Sequence, residues 1–189
     1  MKKIAVLSLF LITGACLYAQ TLSWNLRFTR GNAQKTLPVS GIITMETGEV
    51  FSIAIKPDAD CFSYVVAYDP GRNTTVLHDV PLSKDIQLVL GPVKLTEPGG
   101  TETIYVIMSL NRQTKLEKLI KNYSKNPNSR EHSDNLQREI LSLQSTVSGL
   151  GEPASSFIPS GGTTRGSGEE YTNRFSDKSI YVRTITIRH

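Results

Sequence analysis

In "LSWNLRF", Leu22, Trp24, Leu26 and Phe28 alternate with Ser23, Asn25 and Arg27. A period of two predicts a strand with one buried face. "EVFSIAI" after the turn at Thr47 and Gly48, and "CFSYVVAYD" after the bend at Pro57, Asp58, Ala59 and Asp60, are dense in β-branched and aromatic residues and predict two more. In "DPGRN", Pro70 and Gly71 stand where a type II turn takes a fixed φ followed by a positive one, so "TTVLHD" returns as the partner of a hairpin. "IQLVL" and "TIYVIMSL" extend the set, and "SIYVRTITIRH" closes it.

Between the last two strands the period changes. Leu116, Leu119, Ile120 and Tyr123 fall at helical spacing, as do Leu136, Ile140, Leu143, Val147 and Leu150. The pattern predicts a two-helix insertion over 112–148, with Asn111 or Ser109 capping the first helix, Pro127 breaking the chain and Gly149 or Gly151 ending the second. The apolar stripes pack on the sheet, and Lys115, Lys118, Lys121, Arg138 and Glu139 form a solvated opposite face.

Residues 151–178 are rich in Gly, Ser, Pro and Thr and read as a flexible loop. A lone strand beyond it cannot form a domain, so the closing strand returns to the main sheet. The fold class expected is mainly β: an antiparallel β-sandwich with a two-helix insertion before the C-terminal strand.

Lys2 and Lys3 precede an apolar run over 4–12 and a small-residue region over 13–19, the layout of a secretory signal peptide. The run is shorter than the roughly 20 residues needed to span a bilayer, and no later segment supplies a transmembrane helix. Two processing routes fit. Cleavage after Ala19 gives a signal peptide over 1–19 and a single domain over 20–189; the loose lipobox "TGAC" gives a leader over 1–15 and a lipidated Cys16. Losing Lys2 and Lys3 from 21 basic residues leaves 19 against 17 acidic, a formal net of +2. No basic run with interleaved aromatics remains, so no nucleic-acid partner is expected. With Cys16 discarded or acylated, Cys61 has no disulfide partner and reads as a small buried hydrophobe at a strand start.

Chemistry is sparsely marked. "EPGGTET" offers Gly99 and Gly100 ahead of a strand, but no Lys-Ser/Thr follows and no helix begins there. The glycine-rich "SGGTTRGSGEE" fails the same test, which excludes a phosphate-binding P-loop at both. His78, His132 and His189 share no metal-ligand spacing, and His78 beside Asp79 has no G-x-S-x-G serine to serve. Asp58 and Asp60 lack the rest of a calcium loop and read as a solvated bend. No catalytic, cofactor-binding or metal-binding residues are assigned, and no cofactor is expected.

Three blocks, "GEVFSIAIKPDADCFSYVVAYDPG", "EPGGTETIYVIMS" with a leucine-bearing helix after it, and "IYVRTITIRH", resemble the bacterial domain-of-unknown-function family 4384 over 48–189. The sequence departs from that pattern at Leu77 and His78, where the family more often has an aliphatic-aromatic pair, and at Pro70-Gly71, in place of an aspartate-glycine hairpin. The resemblance implies an exported or envelope-associated β-module, and makes "EPGGTET" a structural turn. The expected function is a non-catalytic interaction or scaffolding module whose partner is an envelope protein or cell-wall component. The alternative is a hydrolase or carbohydrate-binding protein. A pocket of convergent ionisable groups would favour the alternative, and an exposed apolar patch the interaction module.

Overall fold

The structure, a computed structural model, describes residues 21–31, 35–148, 156–159 and 171–189. The leader, Cys16 and most of the glycine-rich stretch lie outside the described residues.

Among the described residues, two six-stranded sheets pack face to face. The first contains β1 (Leu22–Arg30), β2 (Lys35–Leu37), β4 (Val50–Pro57), β8 (Leu88–Lys94), β10 (Ser156–Pro159) and β11 (Tyr171–Lys178), in the order β10-β11-β1-β4-β8 with β2 also on β1. The second contains β3 (Ile42–Thr44), β5 (Cys61–Tyr68), β6 (Thr74–His78), β7 (Pro81–Leu82), β9 (Thr101–Ser109) and β12 (Ile180–Arg188), in the order β3-β12-β9-β5-β6 with β7 on β5. Two helices, α1 (Thr114–Lys125) and α2 (Arg130–Ser148), follow β9. The β-sandwich and the closing strand's place inside a sheet are as the sequence predicts.

The alternation in β1 has the expected cause. Leu22, Trp24, Leu26 and Phe28 enter the core between the sheets, where they join Ile53 and Ile55 of β4 and Val65, Val106 and Ile185 of the second sheet. Each large side chain removed from water contributes about 1.5 to 3 kcal/mol. Trp24 packs on Phe175 at 4.5 Å and on Tyr181 at 5.9 Å, so one indole ties β1 to β11 and β12.

The second sheet is buried on both faces. On the side away from the sandwich core, Tyr64, Val66, Tyr105, Ile107 and Val182 meet Leu116, Ile120, Leu136 and Ile140 of the helices. That third layer is why β5 and β9 read as nearly unbroken apolar runs, whereas β1 alternates.

Several expectations are corrected. The loop expected over 151–178 contains β10 and β11, an antiparallel pair that extends the first sheet through β1, so three strands follow the helices. "YTNRFSDK" looks like loop because its one large apolar side chain known to reach the core is Phe175, while the ladder to β1 supplies the rest of its order. The sheets are not wholly antiparallel, since β3 pairs in parallel with β12. Neither Asn111 nor Ser109 caps α1. Gln113 occupies that position, and its N–H is met from the sheet by Tyr64 Oη at 3.2 Å. Gly149 and Gly151 lie outside the described residues. Glu139 is only 9% exposed and pairs with Lys115, joining α2 to α1 instead of facing solvent. The 69–73 hairpin is not type II. Arg72 N–H donates to Asp69 O at 2.9 Å and the left-handed residue is Arg72, at φ 63°, while Gly71 keeps an ordinary φ. This is a type I turn followed by a left-handed residue. The Asp69 carboxylate selects it by accepting Asn73 N–H at 2.7 Å and Asn73 Nδ2 at 2.6 Å.

Among the described residues, no helix is long and apolar enough to cross a membrane.

Candidate functional site

The residues with the most obvious chemistry are dispersed. Cys61 lies in the sandwich core, and burial, assisted by the charges of Asp60 and Asp58, pushes its thiol up to about 11. The two aspartates lock the neighbouring loops. Asp58 Oδ1 accepts Ser23 N–H at 2.9 Å, and Asp60 Oδ1 accepts Lys84 N–H at 2.7 Å. His78 is half-buried at the end of β6 with Nε2 3.0 Å from Val80 O, and burial pushes its imidazole down. His132 lies in the first turn of α2. No group of three or more His, Cys, Asp or Glu side chains among the described residues is placed to hold a metal ion.

A cleft of about 550 Å³ opens at one end of the second sheet, on the helix side. Three segments far apart in sequence meet there. The hairpin after β5 contributes Tyr68, Asp69, Pro70 and Arg72; the start of β9 contributes Gly100, Thr101 and Thr103; the first two turns of α2 contribute Ser133, Asp134 and Gln137. The alternation of β9 aims Thr101 and Thr103 to this side along with Tyr105, whereas Glu102 and Ile104 face the other way. Gly100 is required by close approach. A Cβ at that position would lie 2.7 Å from Pro70 Cβ, so glycine lets the hairpin rest against β9.

The cleft floor is polar and tightly ordered. Thr74 Oγ1 and Ser133 Oγ lie 2.5 Å apart, and Tyr123 Oη donates to Thr74 O at 2.5 Å, so β6, α1 and α2 are pinned together beneath it. Tyr68 is 5% exposed, packs edge-on to Tyr105 at 5.8 Å, and its hydroxyl has no hydrogen-bond partner of good geometry. Burial pushes its phenol well up, and the neighbouring Thr74 hydroxyl opposes the shift. A buried donor left unpaired costs about 1 to 3 kcal/mol.

On the opposite side of the same sheet end, His189 continues the β9–β12 ladder. Its imidazole Nδ1 is 3.1 Å from Thr47 Oγ1 and its Nε2 is 3.5 Å from Glu102 Oε1. Burial pushes the Glu102 carboxyl up, and His189 opposes that shift.

Of the residues the sequence singled out, Pro70 and Gly100 line the cleft, while Gly99 lies beside His189 and Thr47. Tyr68, Arg72, Asp134 and Gln137 carry no motif. The available signal was Arg72 directly after Pro70-Gly71, a bulky residue where a tight turn favours glycine or asparagine. Set against protein-family models, curated proteins and solved structures, the chain matches none of them.

Proposed function

We propose that the chain is an exported, non-catalytic module of the bacterial cell envelope, of the kind implied by its resemblance to the domain-of-unknown-function family 4384, and that it works by engaging an envelope protein or cell-wall component. Export rests on the leader pattern over 1–19, with Cys16 as the acylated residue if the lipoprotein route is taken. The observation that carries the interaction reading is the outer edge of the first sheet. β8 ends the strand order there, and Ile86 and Val89 beside that edge are 59% and 55% exposed. An edge strand flanked by large apolar side chains supports pairing with another chain.

The test places a photo-crosslinking amino acid at position 89 and irradiates intact cells. A discrete adduct in the envelope fraction, lost on Ile86→Lys, supports the reading. Absence of any adduct, or recovery of the protein in the cytosol with its leader intact by mass, contradicts it. The carbohydrate-binding alternative draws its own support from the cleft.

A further inference from the structure

We propose that the cleft between the β5–β6 hairpin, the start of β9 and the first turns of α2 is a binding site for a neutral saccharide of one or two rings. The inference goes beyond the envelope-module reading and does not depend on where the chain resides.

Size gives the first constraint. About 550 Å³ lies within the range of small-ligand sites and is ample for a disaccharide. Charge gives the second. Asp69 and Asp134 line the cleft together with Arg72, so the lining carries no positive excess and does not suit a phosphate or nucleotide. Apolar lining is confined to Pro70 and the ring of Tyr68, which leaves an apolar ligand little to bury against.

The pattern of donors and acceptors selects among polar ligands. Arg72 has only donors to offer and Asp134 only acceptors, and neither makes an ion pair with a described residue. Gln137 and the hydroxyls of Thr101 and Thr103 can serve either way. A sugar hydroxyl is both donor and acceptor, so vicinal hydroxyls satisfy such a mixed lining without bringing a net charge into it. Tyr68 and Pro70 add a small apolar surface to this polar lining, which suits the C–H faces of a sugar ring.

The test is a titration of the ¹⁵N-labelled full protein followed by amide chemical shifts. Glucose, N-acetylglucosamine, maltose and diacetylchitobiose are the probes, with inorganic phosphate and the zwitterionic dipeptide Ala-Ala as competing classes. We expect saturable shifts at Gly100, Thr101, Thr103 and the Gln137 side-chain amide with at least one saccharide. Arg72→Gly, which puts glycine at a left-handed position and so keeps the fold, should weaken binding about tenfold. Asp134→Asn, at an exposed position, should also weaken it while the spectrum of the free protein keeps its dispersion. The proposal is overturned if no saccharide shifts these amides, if Arg72→Gly and Asp134→Asn both bind as wild type does, or if only phosphate or the dipeptide binds.

Discussion

Gly100 and His189 exchange two backbone hydrogen bonds, Gly100 N–H to His189 O at 2.8 Å and His189 N–H to Gly100 O at 2.9 Å. The pair continues the β9–β12 ladder one step beyond Thr101 and Arg188. On one side it holds Gly100 against Pro70 at the cleft rim; on the other it sets the His189 imidazole beside Thr47 and Glu102. The cleft is therefore built on the end of a long antiparallel ladder and not on a free loop.

Substituting Gly100→Ala tests that close approach. The added methyl would overlap Pro70, and overpacking of this kind costs about 1 to 3 kcal/mol. Urea unfolding should register the loss. An unchanged midpoint would mean that the hairpin can move away from β9 freely.

The two apolar positions on α2 should separate by burial. Ile140 is fully buried against the second sheet, so Ile140→Ala should cost about 2 to 5 kcal/mol. Leu143 is only partly buried and Leu143→Ala should cost clearly less. Equal losses in denaturant unfolding would contradict the packing described for that helix.

Alkaline stability should report on Cys61. Its thiol is raised in the folded chain from an ordinary 9.0 to about 11, so the folded state keeps a proton that the unfolded state releases. The stabilisation is complete below pH 9 and is lost as pH rises from 9 to 11, with a total of about 2 to 3 kcal/mol at about 1.4 kcal/mol per pH unit. Cys61→Ala should remove this part of the slope. A slope that the substitution leaves unchanged would mean that another group governs the alkaline limb.

Deleting 179–189 removes β12, which lies between β3 and β9 and carries buried Tyr181, Ile185 and Ile187. The truncated chain should show no cooperative thermal transition. A wild-type melt would exclude β12 from the core.

What the sequence revealed follows from how local each cause is. β1 was legible because its buried and exposed positions alternate, and the helices were legible because Leu116, Ile120, Leu136 and Ile140 repeat at helical spacing. Phe175 alone could not announce β11, whose order comes from a ladder to a strand about 150 residues earlier in the chain. The parallel pairing of Ile43 with Ile187 is equally non-local. Pro70-Gly71 pointed to a type II turn, but the Asp69 carboxylate binding Asn73 moved the left-handed residue to Arg72. Glu139 looked solvated because its partner Lys115 belongs to the other helix. The cleft was hidden for the same reason. Its polar residues come from three separate segments, and each segment on its own reads as ordinary surface.

If the hairpin holds Arg72 at the cleft for binding, at a conformational cost, Arg72→Gly separates that role from a structural one. A non-glycine residue in the left-handed region costs about 1 to 2 kcal/mol, partly offset in the variant by the greater freedom of glycine in the unfolded chain. Arg72→Gly should be at least as stable as wild type in urea unfolding, yet bind the saccharide found by titration about tenfold more weakly, the loss expected for one charged hydrogen bond. Unchanged saccharide affinity, or a loss of stability larger than about 1 kcal/mol, would contradict the binding role, because Arg72 would then be serving the fold and not the cleft.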